Sequence, residues 1–359
     1  MTVVPASVVP ASVVPASVVP PSVGVRDEAR RLVDALAKPT GALGRLEDLA
    51  VWLAACQHRC PPEPVLDVRA VVFAGDHGVA AYGVSAYPAT VTPAMVRLFH
   101  TGAAGVTVLA RQHGVRLRVL DLGVDDDLLD LPDAVTAHKI RRSSEPIHLT
   151  DALTRPEVDA AVRAGRAVAD DEIAAGAQLL ISGDMGIGNT TPAAALVAAL
   201  LGLPAEEVTG RGTGIDDAGL VRKRELIGRA LVRMGDRLTD PVDPADLLAG
   251  LGSADIAASA GFMARSAERG IPVLLDGVVS VTAALLADLL APGAADWFAA
   301  GHRSTEPAQS LALDKLGLEP LLDLGMRLGE GSGAVAAVPL VRSAALLLRE
   351  MARLSDVLG

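Results

Sequence analysis

Two hydrophobic rhythms divide the chain. Between residues 25 and 60 the apolar positions recur at helical spacing: Ala29, Leu32, Val33 and Leu36 form one stripe, and Leu46, Leu49, Ala50 and Leu53 a second. Pro39-Thr40-Gly41 turns the chain between them. Spacing of i, i+3, i+4 and i+7 collects residues on one helix face, so an α-hairpin is predicted. From residue 68 the rhythm changes to short unbroken apolar runs: Val68 to Ala74, Leu117 to Leu122, Leu179 to Ser182, Pro272 to Leu275 and Trp297 to Ala300. Each is followed by polar, glycine-rich residues and a helical stretch. Continuous rather than alternating hydrophobicity marks strands covered on both faces. The predicted fold class is therefore α/β, an open parallel sheet with helices on both faces (Rossmann-like). A last stripe of Val341, Ala344, Ala345 and Leu348 predicts a C-terminal helix that folds back on the first hairpin. Residues 25–65 plus 335–359 then make a small helical subdomain beside an α/β domain of residues 66–334.

Residues 2–22 follow neither rhythm; they repeat Val-Val-Pro-Ala-Ser with little variation. A proline every five residues removes amide donors and fixes φ, so neither helix nor ladder propagates. Residues 1–24 are expected to be a disordered or extended tail outside the fold. The N-terminus lacks the basic and apolar regions of a signal peptide. The longest apolar stretch, around Val273 to Leu290, is interrupted by Asp276 and Asp288 and falls short of a membrane span.

Composition narrows the reading. Half of the 359 residues are apolar but only 2% are aromatic, so the core is built from Ala, Val and Leu, and 35 glycines permit close backbone approach. The net charge of −11 comes with no basic stripe, which argues against nucleic acid as a partner. Two cysteines, Cys56 and Cys60, cannot carry a disulfide framework and fit a reducing cytoplasm. As metal ligands they lack two further partners.

In open parallel sheets ligands bind beyond the carboxyl ends of the strands, so chemistry is expected in the loops that follow them. Four clusters stand there. Gly75-Asp76-His77-Gly78-Val79 leads through Ser85, Ala86 and Tyr87 toward Met95; its Asp-His pair ties loops together or faces a ligand, and Tyr87 could wall a flat ring. The run from Ser182 through Asp184, Gly186, Gly188, Asn189 and Thr190 to Pro192 sits between strand and helix, where converging amides and a helix N-terminus suit a phosphate. The alternative is an ordinary N-cap, Thr190 or Thr191 before Pro192, but the composition favours the phosphate. The run matches neither the nucleoside triphosphate loop nor the dinucleotide fingerprint, which disfavours a dinucleotide-dependent oxidoreductase. Gly210 to Asp217 makes a tight turn with Asp216 or Asp217 as a helix cap, followed by the basic triplet Arg222-Lys223-Arg224; Lys223 is a candidate counter-charge for a phosphomonoester. The fourth cluster is split between Gly301-His302-Arg303-Ser304-Thr305-Glu306-Pro307 and Gly329-Glu330-Gly331-Ser332-Gly333. Glycine on both sides leaves the Glu330 carboxylate open to a ligand, or it serves as the N-terminal charge of the helix that follows.

Taken together these stretches resemble the nicotinate-nucleotide–dimethylbenzimidazole phosphoribosyltransferases of cobalamin lower-ligand synthesis. The matching segments run in order from Lys38–Glu47 through Gly75–Val79, Gly186–Pro192, Gly212–Asp217, Leu275–Gly277 and His302–Pro307 to Leu328–Gly333. The resemblance implies a cytoplasmic, homodimeric enzyme needing no metal or other cofactor. Its substrates would be nicotinate mononucleotide and a benzimidazole-type base, with neither nucleic acid nor membrane as partner. It assigns Glu330 as general base. Asp184, Gly186, Gly188, Asn189, Thr190, Lys223, Ser304 and Leu328 fall to the nucleotide, and Ser85, Tyr87 and Met95 to the base. The chain departs from the family pattern at Asp184 and Asp255, where Glu is commoner, and at Ala94, where Gln is common. The departures at Asp184 and Ala94 make the main rival a relative that keeps the fold and phosphate loop but uses another acceptor, such as adenine or a phenol. A nucleotide sensor is the competing class, which would bind nucleotide, release no nicotinate and have no need of Glu330.

Overall fold

The computed structural model describes residues 18–238 and 242–359. The five apolar runs are five strands: β1 (Val68–Gly75), β2 (Val115–Gly123), β3 (Leu179–Met185), β4 (Val273–Leu275) and β5 (Phe298–Ala300). They form one parallel sheet in the order β2-β1-β3-β4-β5, with Val68 of β1 level with Val115 on one side and Leu179 on the other. All eight residues of β1 are buried. Its side chains alternate between two cores: Val71 and Phe73 enter one, Val68, Ala70 and Val72 the other. That alternation is what a strand covered on both faces requires, and it explains the unbroken hydrophobicity of the sequence.

One core lies under helices Arg155–Ala174, Thr190–Leu201, Ala254–Glu268 and Val278–Leu290. Small side chains set its geometry. A Cβ on Gly261 would stand 2.3 Å from the Val162 carbonyl oxygen, so helices Ala254–Glu268 and Arg155–Ala174 pack nearly backbone to backbone. The other core gathers the α-hairpin, helices Val23–Ala35 and Arg45–Cys56, with the C-terminal helix Ser332–Glu350, as the stripes foretold. This cluster continues without a break from Ala29 and Leu53 into Val72, Ile181 and Leu274 of the sheet, so the helical group shares the sheet's core. Ser332–Glu350 is, among the described residues, the one helix long and apolar enough to cross a membrane, and 56% of its most apolar window is buried inside the fold.

The N-terminal expectation needs correction. The repeat through residue 17 lies outside the described residues, but Val18–Pro21 are part of the fold and Ser22 caps the first helix, accepting from the Val25 amide. Val18 is buried, its amide donates to Pro292 O at 2.7 Å, and the Trp297 indole donates to Val19 O at 3.1 Å. Proline forbids helix and ladder but not an extended segment pinned by isolated bonds.

Because β2 and β3 leave β1 in opposite directions, the loops after β1 and β3 part at the switch point, and a crevice opens over the carboxyl ends. Gly186 packs the loop after β3 tight against the loop after β1. Any side chain there would strike the Gly75 carbonyl at 2.1 Å and the His77 ring at 2.6 Å.

Candidate active site

A cleft of about 610 Å³ opens at these strand ends. It is lined by the loop after β3 (Asp184, Asn189, Thr190), the turn at Gly212 and Thr213, the end of β4 with the start of the next helix (Asp276 to Ser280), the loop after β5 (His302, Ser304, Glu306) and the segment Arg327–Glu330. Three of the four sequence clusters therefore meet in one place.

Glu330 is buried at 3% exposure. It stands in the left-handed region at φ +65°, between Gly329 at +78° and Gly331 at +88°. Holding a non-glycine residue there costs on the order of 1–3 kcal/mol, a strain that clusters at functional positions. Its amide donates to Asp184 O at 3.2 Å. Gly183 supplies the room: a Cβ there would lie 2.5 Å from Glu330 O. The carboxylate accepts from the Val106 amide at 3.2 Å, in the first turn of helix Gly105–His113. Burial pushes the Glu330 carboxyl up to about 6; the Val106 amide opposes this and the negative charge of Asp276 adds to it. The reading of Glu330 as charge for the following helix fails. The amides that open Ser332–Glu350 are taken by Asp276, which accepts from Gly331 at 3.0 Å, Gly333 at 2.8 Å and Ala334 at 3.0 Å.

The side chain of Asp184, whose carbonyl takes the Glu330 amide, has different neighbours. Asn189 Nδ2 donates to it at 2.5 Å, and it faces the Asp255 carboxyl, which lies 3.3 Å from His77 Nε2. Burial and then the like charge of Asp255 hold Asp184 well above the usual carboxylate range. Against the same burial, His77 holds Asp255 low, so the pair keeps its proton on Asp184. The two departures from the family pattern are thus one contact.

Capping does not explain the second cluster, because Asn189 spends its side chain on Asp184 and Thr190 accepts from Lys223 Nζ at 2.7 Å. Asp216, by contrast, does cap its helix, accepting from Gly219 at 2.8 Å. Lys223 is fully buried, unlike its exposed neighbour Arg222, and also donates to Gly210 O at 3.2 Å. Burial pulls its ammonium down to about 8, with Glu306 partly offsetting. It stands behind Thr190 rather than in the cleft wall, so any charge it lends a ligand acts through that hydroxyl.

Asp184, Asn189, Thr190, Ser304, Leu328 and Glu330 line the cleft; Gly186 and Gly188 shape the loop after β3 without lining it. Ser85, Tyr87 and Met95 are not brought to the wall. Ser85 Oγ pairs with Thr213 Oγ1 at 3.0 Å at the rim, Tyr87 stands 57% exposed, and Met95 packs against the core beneath its helix. The apolar wall is instead Val278, Val279 and Leu328. The sequence reading also passed over Asp276, His302 and Gln309 as functional residues. Gln309 Nε2 bridges Asp276 O and His302 O, both at 2.9 Å, and so binds the β4 and β5 loops together. The signal for Asp276 was a charge interrupting an otherwise apolar stretch.

An open, doubly covered parallel sheet with a carboxylate-lined cleft over the carboxyl ends of β3, β4 and β5 defines a small-molecule site of the nucleotide-handling α/β class. The family model described as phosphoribosyltransferase matches residues 18–357, and the chain belongs to that family. It is 55% identical over 329 residues to the nicotinate-nucleotide–dimethylbenzimidazole phosphoribosyltransferase of Mycolicibacterium paratuberculosis, covering 92% of this chain and 93% of that one. It is 54% identical over 328 residues to the protein of the same name from Mycobacterium tuberculosis, covering 91% and 90%. The crystal structure of CobT from Thermus thermophilus superposes with a TM-score of 0.88 at 46% identity, over 93% of this chain and 98% of that one.

Proposed function

We infer that this chain moves ribose 5-phosphate from nicotinate mononucleotide to 5,6-dimethylbenzimidazole, giving α-ribazole 5′-phosphate and nicotinate. The observation that carries its mechanism is the buried, strained Glu330 carboxylate at the cleft, its carboxyl pushed up to about 6. The donor pyridinium departs as a neutral ring, so expelling it needs no general acid. The acceptor is the weak partner. One benzimidazole nitrogen attacks C1′ while the C1′–N bond to nicotinate breaks, and the proton on the other nitrogen passes to Glu330. A base with its pKa just below neutrality is ionised at working pH yet still basic enough to take that proton, worth roughly 10²–10⁴-fold. Attack opposite the leaving ring inverts the anomeric centre from β to α.

The remaining residues fall into place around this step. Thr190 and Ser304, with Lys223 behind Thr190, receive the phosphate. Asp184 carries its own proton and adds no negative charge there. Val278, Val279 and Leu328 hold the flat ring, and holding both rings on opposite faces of the ribose contributes at least as much as the base. The assembly is a homodimer in the cytoplasm, a part of the proposal that rests on the resemblance and that light scattering tests by a mass twice 36.7 kDa.

Incubation with nicotinate mononucleotide and 5,6-dimethylbenzimidazole should release free nicotinate. Glu330→Gln should lose most of that turnover while still binding the mononucleotide. Near-normal turnover in the variant would refute the assignment of the base.

A further inference from the structure

Among the buried charges to which the proposed mechanism gives no task, Asp276 adjoins the base. Asp276 follows β4 directly, is 2% exposed and lines the cleft. Its two oxygens accept three backbone amides, all just beyond Glu330: Oδ2 takes Gly331, and Oδ1 takes Gly333 and Ala334. His302 Nε2 lies 3.4 Å from the same Oδ1. The His302 ring lies flat against Gly333, where a Cβ would come within 2.0 Å of it.

A helix cap of the ordinary kind satisfies one or two amides from the residue just before the helix. Here the carboxylate arrives from another strand, more than fifty residues away in sequence, and its first amide belongs to the residue adjoining the base. Glu330 is fixed on both sides: its own amide is tied to Asp184 O at the end of β3, and the next residue's amide is tied to Asp276 at the end of β4. The three left-handed residues 329–331 are strung between these anchors.

We propose that Asp276 is a positioning residue for the base. It clamps the strained turn that aims Glu330 into the cleft, and it sets a negative charge, moderated by His302, beside that carboxylate. The proposal rests on the assignment of Glu330 as base. Burial works against an ionised Asp276, but His302 and the amides of Ala334 and Gly331 outweigh it and hold the carboxyl below its ordinary value. Burial likewise works against a charged His302, and Asp276 outweighs it, so the imidazole is held above its usual value. The other titratable and charged groups around Glu330 are Asp184 at the end of β3, Glu306 in the loop after β5 and Arg327 in its own segment; helix Gly105–His113 contributes an amide.

Asn in place of Asp276 keeps the shape but presents an NH₂ to an amide that needs an acceptor, and it removes the charge. The test is the pH dependence of kcat at saturating substrates in Asp276→Asn and His302→Gln, with mononucleotide binding followed by calorimetry. Asp276→Asn should lose roughly 10²-fold in kcat, the scale of a reacting group displaced by about an ångström. It should keep mononucleotide binding and move the acid limb to lower pH. His302→Gln leaves the clamp in place but strips the moderating charge, so its limb should move to higher pH. A purely structural role would move neither limb. Limbs that stay at the wild-type position in both variants, or wild-type kcat in Asp276→Asn, overturn the proposal. Should Asp276→Asn fail to fold, His302→Gln decides alone, by the direction of its shift. Full turnover in Glu330→Gln would instead sink the underlying assignment, and the two failures are read in different proteins.

Discussion

Two neighbouring carboxyls of the cleft are tuned differently. Asp184 is buried against a second carboxylate and is held well above the usual carboxylate range. Glu330 is buried too, but its nearest partner is an amide at a helix N-terminus and its carboxyl rises only to about 6. The neighbour decides: a like charge locks the proton on, and a backbone amide lets it leave near neutrality. Of these two carboxyls, Glu330 is then the one that ionises to face the acceptor ring.

The comparison breaks most easily at Gly183. Its missing Cβ makes room for the Glu330 carbonyl, so Gly183→Ala should shift the base and cost roughly 10²-fold in kcat. Binding of the mononucleotide, measured by calorimetry, should survive. A second test reads stability. Glu330 has its folded pKa raised from 4.5 to about 6, so it contributes stability that is complete below about 4.5 and is lost as pH rises through 6. Glu330→Gln, which carries no charge to desolvate, should therefore be more stable than the wild type by about 2 kcal/mol at pH 8, a gap that closes on acidification. Denaturant melts at two pH values check the sign. The smallest effect is expected at Asp184→Asn. An amide imitates a carboxyl that already holds its proton, so turnover should fall by less than about tenfold, roughly 1.4 kcal/mol. A loss as large as that of Glu330→Gln would erase the distinction between the two carboxyls.

Local patterns foretold much of this. All five strands were legible because a strand covered on both faces leaves an unbroken apolar run, and the site loops after β3, β4 and β5 were legible because each follows such a run. Which loops touch was not. Val106 and Glu330 are 224 residues apart, and Gly331 and Asp276 are 55 apart. Periodicity carries no signal for contacts between loops of different strands. Lys223 was picked for its charge, but its complete burial behind Thr190 follows from the packing of its helix, which a basic triplet conceals. The pinned end of the repeat, Val18 to Pro21, escaped because its bonds go to residues 292 and 297 rather than to near neighbours. The ring wall expected around Tyr87 came from an exposed tyrosine and from likeness to a family; in this chain Ser85 and Ala86 bond Thr213 at the rim and Tyr87 stays outside the cleft.

The central claim is that Glu330, and not its neighbour Asp184, is the group that must ionise. The most direct measurement is kcat against pH at saturating mononucleotide and benzimidazole for the wild type, Glu330→Gln and Asp184→Asn. The wild type and Asp184→Asn should share an acid limb near 6, and the residual activity of Glu330→Gln should show none. A limb that persists in Glu330→Gln, or vanishes in Asp184→Asn, would contradict it.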